Sequence, residues 1–353
     1  MAQALARIGE LVWIPVAPPR YYRYFKIVAK VLAKLCGKKV CFNYTYVGAR
    51  ILANSVKTDK ISECDVLVAF WSGSILAYMD TKGKPVIYLS DATFPAMINY
   101  YPSFSHLFKK NIHSGIDIEK CSLDKASVIV LPSGWSAISA INDLQQPKEK
   151  IHVIEFGANI DDKDILPHSF VYNGHLDILF IGVEWGRKGG DIAVEATRWL
   201  NSNGIDAMLH IVGIKKLDEK IVSLPYINYV GFLNKNKQEE YRKLADTITK
   251  SHLLLLPTIA ECAGIVFCEA SANGLPIFTH HTGGVPNYIE NGRNGYMLPL
   301  GSTGADFGKK IKECLLSGEL ERMSKRAVNI YREKLNWQVW AKKMKEVMVS
   351  KFK

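Results

Sequence analysis

Residues 261 to 289 read ECAGIVFCEASANGLPIFTHHTGGVPNYI. They gather Glu261 and Glu269 eight residues apart, Cys262 and Cys268, the pair His280 and His281, and the pair Gly283 and Gly284. Such residue types could hold a metal, supply a thiol nucleophile, or cradle a ligand rich in hydroxyls and phosphates. A metal site fails on spacing: the two cysteines stand six apart without a second pair, and adjacent histidines at a strand's end point to opposite faces. A thiol nucleophile is poorly supported, because Cys268 sits within an apolar helical run, where an inert packed cysteine is the ordinary reading. The third chemistry has a mechanism. Carboxylates accept hydrogen bonds from hydroxyl pairs, so one can hold a ribose and the other a sugar ring. Between them, the backbone amides of Cys262, Ala263, Gly264 and Ile265 open a helix, whose unpaired N–H groups and positive dipole end suit a phosphate or a sugar oxygen. Gly283 and Gly284 let backbone approach a ligand where a side chain would block it.

The elements that must position these groups follow from the hydrophobic pattern. Short apolar runs alternate with helical periodicity, the rhythm of parallel sheets covered by helices on both faces. The first half offers strands at 11–16, 40–46, 65–71, 85–90, 126–132 and 151–157, and the second at 176–182, 207–213, 227–232, 252–258, 275–280 and 295–300. Each set implies one Rossmann-like, doubly wound domain. The polar, Pro- and Gly-containing segment 161–174 interrupts the rhythm and reads as a linker. The expected organisation is an N-terminal domain over 1–160, a C-terminal domain over 175–335, and a last helix over 336–353 packing back toward the first domain. Open α/β sheets bind ligands outside the carboxyl ends of their strands, so two such domains are expected to face one another across a ligand-binding cleft. Glu261 follows a strand directly, and Glu269 falls inside the next helix, so both carboxylates can reach that cleft.

Composition excludes several classes. A chain of 353 residues that is 48% hydrophobic has the makeup of an ordinary folded protein with room for two domains. No apolar run approaches the roughly 20 residues of a membrane-spanning helix, and the chain as given opens without a secretory pattern. The expectation is a soluble cytoplasmic protein. Seven cysteines, an odd number without a CxxC pair, suit free thiols in a reducing compartment. The net charge of +11 is concentrated: residues 1 to 60 carry eleven Lys or Arg against two acids. Within residues 20–39, Arg23, Lys26, Lys30 and Lys34 recur at helical spacing among Tyr24, Phe25, Ile27, Val28, Val31, Leu32 and Leu35. This segment reads equally as a peripheral contact with an anionic membrane or as a core helix with a solvated lysine face. A nucleic-acid partner is not expected, because no zinc-finger, basic-zipper or aromatic RNA-binding signature accompanies the charge.

The stretch ECAGIVFCEASANGLPI resembles the E-x7-E signature of retaining glycosyltransferases of family 4, extending beyond Glu261 and Glu269 to Gly264, Ala270, Gly274 and Pro276. The segments LDILFIGVEWGRKGGDIAVEA, VLPSGWSAISAI, PKEKIHVIEFGANID and INYVGFLNKNKQEEY are similar to family segments as well. The resemblance implies the GT-B fold and a nucleotide-sugar donor as co-substrate. It assigns Glu269 to the donor ribose, Glu261 with the amides after it to the transferred sugar, and Arg187 and Lys188, with Gly264 and Ile265, to the diphosphate. Fixed cations there would stabilise the departing diphosphate, so no divalent metal and no other cofactor are expected. The acidic run Asp161, Asp162 and Asp164 reads as solvated linker. The implied acceptor is a glycan or a lipid-linked glycan, as in bacterial surface-polysaccharide synthesis, and the rival is a non-catalytic GT-B-like nucleotide- or glycan-binding subunit.

Four departures from the family pattern stand out. Val183 follows Gly182 where relatives carry an arginine, so Arg187 either replaces that guanidinium or faces solvent at a helix start. Asp91, followed by Thr93, stands where relatives carry a histidine, and either touches sugar or acceptor as a catalytic group or caps a helix over 92–100. Asn287 replaces a common glutamate. The opening MAQALARIGELVWIPV resembles the end of a first helix and a second strand, implying that this domain lacks its first strand.

Overall fold

The computed structural model describes residues 1–160, 165 and 170–352. The linker's acidic run Asp161, Asp162 and Asp164 lies outside the described residues. The chain divides into two compact units, Met1–Ile154 with Ala341–Lys353, and Glu155–Trp340.

The first unit holds a four-stranded parallel sheet in the order β1-β2-β3-β4: Leu67–Phe70, Val86–Leu89, Val128–Leu131 and Ile151–Val153. β2 and β3 are buried along their whole length, which is why they read as unbroken apolar runs. Helices Lys109–Lys125 and Gly134–Asn142 belong to the same unit, and Leu123, Ala137 and Ala140 join the core formed by Tyr88, Ile129 and Leu131.

Two expected strands are absent, each for a visible reason. Residues 11–16 form no strand beyond a single antiparallel bridge from Val16 to Val56. Pro15 has no N–H to give a ladder, and Trp13 is 73% exposed, with no sheet face to bury it. Residues 40–46 turn into a short 3₁₀ helix, Phe42–Tyr44, because side chains take the backbone groups a sheet would use. Asn111 Oδ1 accepts from the Cys41 amide at 2.6 Å, its Nδ2 donates to the carbonyls of Cys41 and Tyr44, and Ser114 donates to Tyr44 O at 2.7 Å.

The basic segment forms the expected helix over Arg20–Leu35. Gly37, at φ +62°, ends it: its amide reaches Lys34 O and the Lys38 amide reaches Ala33 O, a Schellman closure. Only Tyr22 and Ala33 of this helix are buried, the Tyr22 ring tilted against Phe42 and its hydroxyl donating to Asn43 Oδ1. Tyr21, Tyr24, Phe25, Ile27, Val31, Leu32 and Leu35 are all exposed.

The second unit holds six parallel strands in the order β10-β9-β8-β5-β6-β7. They are β5 His175–Ile181, β6 Asp206–Val212, β7 Ile227–Gly231, β8 Leu253–Leu256, β9 Ile277–His280 and β10 Gly295–Leu298. Every strand expected in this half of the sequence is present. β5, first in the chain, lies at the centre beside β8, with Ile178 opposite Leu253, and the strand order reverses between them. That is the usual Rossmann order and its topological switch point. The four leucines of β8 are completely buried, as a central strand covered on both faces requires.

Candidate functional site

The loops leaving β5 and β8 meet at this switch point. After β5 the chain passes Gly182 and Val183 and makes a single helical turn, Trp185–Lys188, before Gly189 and the long helix Gly190–Ser202. Gly189 adopts φ +76°, and a Cβ there would lie 2.1 Å from Pro257 O, so glycine alone lets this turn close on the end of β8. The two loops are then tied together: the Ile259 amide donates to Arg187 O at 2.9 Å, and Thr258 Oγ1 to the same carbonyl at 3.2 Å.

This closure buries cationic and anionic groups together. Lys188 Nζ donates to Glu261 Oε2 at 2.5 Å, with both side chains largely buried. Arg187 bonds Glu184 Oε2 through Nε at 2.8 Å and Ala260 O through Nη1 at 2.8 Å, leaving Nη1 4.0 Å from Glu261 Oε2. Its side chain is 11% exposed, so the solvent-facing alternative for Arg187 does not hold. Val183, where the family arginine stands, is exposed. The Arg187 guanidinium, four residues further along, lies beside Ala260 O and Glu261.

Beyond Glu261, Cys262 and Ala263 are buried and Gly264, at φ +48°, heads the helix Ile265–Ala272. The Glu261 carbonyl accepts from the Gly284 amide at 2.9 Å, which brings the turn after β9, including Gly283 at φ +48°, against the same loop. Glu269 projects from the third position past Val266 on that helix and is buried. Burial pushes its pKa up, while Lys235 Nζ, 2.7 Å from Oε1, and the Asn159 amide act in the opposite direction. Thus Arg187, Lys188, Glu261 and the glycine turn share one edge of the sheet, and Glu269 lies one to two helical turns beyond it, paired with a lysine.

Other residues of the opening cluster are packing groups. The Cys268 Sγ faces Phe156 O at 3.2 Å, and burial drives its thiol pKa well above the usual range. His280 is buried, its ring between the carbonyls of Pro257 and Ser302, while His281 is exposed. Asn287 donates to Glu155 Oε1 at 3.0 Å. Among the described residues there is no group of three or more His, Cys, Asp or Glu arranged to hold a metal.

In the first unit, Asp91 follows β2 directly and is half-buried. It is not the helix cap: Thr93 caps the short helix Phe94–Met97, accepting from the Ala96 amide. The sequence did not mark its neighbour Glu119, a fully buried carboxyl on the helix Lys109–Lys125. Glu119 accepts from the Tyr88 hydroxyl and, at 2.6 Å, from the Phe94 amide. Burial first, with the nearby Asp91 charge adding to it, raises its pKa from 4.5 to about 7. Its signal in the sequence was an acid at a helix position whose neighbours one turn either side, Gly115 and Leu123, face the core.

The second unit thus has the strand order and switch-point edge of a Rossmann domain, and both units are parallel-sheet α/β. Residues 162–330 match the family described as glycosyl transferases group 1. Among curated proteins, the chain is 26% identical to an uncharacterised glycosyltransferase of Methanocaldococcus jannaschii over 54% of this chain and 51% of that one. It is 26% identical to an amylovoran biosynthesis glycosyltransferase of Erwinia amylovora, over 45% and 40% of the two chains. It is 33% identical to a lipopolysaccharide glucosyltransferase of Escherichia coli, over 34% and 32%. The chain spans about half the length of the first two of these relatives. Among solved structures, it shares the GT-B fold with Anabaena HepE in complex with UDP and glucose, at TM-score 0.59 and 16% identity over 82% of this chain and 78% of that one. The sucrose-phosphate synthase of Thermosynechococcus elongatus gives TM-score 0.64 at 14% identity over 98% and 82%.

Proposed function

We propose that this protein is a retaining glycosyltransferase that moves a sugar from a nucleoside-diphosphate sugar to a glycan or lipid-linked glycan, in the assembly of a surface polysaccharide or lipopolysaccharide. The observation that carries the reading is the pairing of Lys188 with Glu261 at the β5/β8 switch point, with Arg187 turned inward beside them. When a nucleoside diphosphate departs, negative charge grows on its terminal phosphate; two cations fixed at a sheet's carboxyl edge stabilise that charge without reorganising. Because lysine and arginine supply it, the reaction proceeds without a divalent metal or another cofactor. The helix-opening amides at Gly264 and Ile265 take phosphate oxygens. Glu261, with the backbone of Cys262 and Ala263 and the Gly283–Gly284 turn, holds the transferred sugar, and Glu269 the ribose. Asp91 serves the acceptor side as the catalytic carboxylate. The departing phosphate takes the acceptor's proton on the face where the new bond forms, which preserves the anomeric configuration. The names of the Erwinia and Escherichia relatives, which cite amylovoran and lipopolysaccharide, support the acceptor class. A Salmonella relative named for colanic acid points the same way. The Anabaena structures with UDP and UDP-glucose support the donor class. The helix Arg20–Leu35, with its exposed aromatic and aliphatic side chains among five basic residues, fits a peripheral seat on an anionic membrane.

The test is a panel of UDP-, GDP-, ADP- and dTDP-sugars, read first by thermal shift and then by release of sugar followed by proton NMR. One donor is expected to raise the melting temperature, as any ligand selective for the native state must. Its hydrolysis or transfer is expected to continue in EDTA with the anomeric configuration kept. Binding without turnover of any donor would favour the non-catalytic subunit, and an inverted product would refute the retaining mechanism.

A further inference from the structure

The loop after β7 supplies a cation to the ribose-side carboxylate. Lys235 sits between β7 and the helix Gln238–Lys250, in a loop that is tied down without it: the Asn234 amide donates to Glu240 Oε2 at 2.6 Å, and Lys237 pairs with Glu240 at 2.9 Å. Lys235 turns the other way. Its ammonium donates to Glu269 Oε1 at 2.7 Å, with the lysine side chain 40% exposed and the carboxyl 8% exposed. A small cavity beside Lys235 is lined also by Tyr241, Asn273, Leu244 and Ile248.

The pairing matters because of what Glu269 has to do. Burial without compensation favours the protonated acid, and a protonated carboxyl is a poor acceptor for a vicinal diol, whose two hydroxyls both donate. Among the described residues, the titratable and charged groups facing Glu269 are Lys235 and the adjoining Cys268 thiol, the latter held protonated by burial; the Asn159 amide also donates to it. Among these groups, Lys235 is the cation that opposes protonation. A carboxylate offers roughly four acceptor directions. Lys235 and the Asn159 amide use two, which leaves capacity for two hydroxyls.

We propose that Lys235 is a positioning residue for nucleotide binding: it keeps Glu269 ionised, so that the pH range over which the protein binds its nucleotide is set by the loop after β7. The inference rests on the reading that Glu269 holds the ribose. It is tested by calorimetric titration of UDP, GDP, ADP and dTDP into the full chain from about pH 5.5 to about pH 8.5. The best-bound nucleotide of the four is then carried through the variants Lys235→Met, Lys235→Arg, Lys237→Met and Glu269→Gln. The wild-type protein, Lys235→Arg and Lys237→Met are expected to share one pH profile, set by the nucleotide's own terminal phosphate, which ionises at about pH 6. Relative to wild type, Lys235→Met is expected to weaken progressively toward the acid end, by about tenfold more there than at the alkaline end, as Glu269 takes up a proton. Glu269→Gln should bind weakly at every pH. A uniform loss, or none, in Lys235→Met alongside weak binding by Glu269→Gln overturns this inference alone. Full-strength binding by Glu269→Gln overturns the ribose assignment and the inference with it.

Discussion

The two units give their buried carboxyl groups different partners. In Glu155–Trp340, Glu261 and Glu269 each meet a lysine, at 2.5 Å and 2.7 Å. In the first unit Glu119, fully buried, meets a phenol and a backbone amide, and its pKa rises to about 7. Burial raises the pKa of Glu269 and of Glu119 alike, and at Glu269 a lysine opposes the rise, whereas Glu119 is held by neutral donors. These carboxyls of the second unit thus lie against cations, whereas the buried carboxyl beside Asp91 in the first has a phenol and a backbone amide as its donors.

This contrast can be broken at the backbone first. Gly189→Ala places a methyl 2.1 Å from Pro257 O in a left-handed backbone, so the loops of β5 and β8 cannot close as they do. The expected loss is about 4 kcal/mol, from the strain and the clash together, measured by urea denaturation. A loss below about 1 kcal/mol would show that the switch-point edge is not rigidly packed.

A somewhat smaller effect sharpens the other side. Glu119 has a folded-state pKa above its unfolded value, so its contribution to stability is fully present below about 4.5 and is lost as pH rises through about 7. A shift from 4.5 to about 7 corresponds to about 3 kcal/mol. Wild-type stability is therefore expected to fall by roughly that amount between the two pH limits relative to Glu119→Gln, which lacks the titration. Parallel pH profiles for the two proteins would mean that Glu119 is charged in the fold after all.

The units also differed in how much their sequence disclosed. All six strands of the second sheet were legible because a parallel strand covered on both faces must be apolar throughout, as Leu253–Leu256 shows. The pairing of Glu261 with the Lys188 turn follows from that topology, since both lie at the carboxyl ends of neighbouring strands. In the first unit, residues 40–46 looked like a strand because apolar and β-branched residues are enriched there. Their fate was decided by Asn111 and Ser114, about 70 residues away, which no local pattern reports. Lys235 was hidden for the same reason: its partner Glu269 lies 34 residues on, and a lysine in a polar loop reads as solvated until the fold shows where it points. Arg187 was ambiguous only while its rotamer was unknown; its bond to Ala260 O shows that it faces inward.

In the proposed function, Lys188, at the carboxyl edge of β5 and β8, stabilises a departing nucleoside diphosphate. The most direct test of this role is the kcat/KM for the accepted nucleotide sugar in wild-type protein and Lys188→Ala, with folding checked by circular dichroism. Losing a fixed cation at the developing charge should lower kcat/KM by about a hundredfold to a thousandfold, carried mainly by kcat. A folded Lys188→Ala protein that turns over its donor within about threefold of wild type would contradict the account.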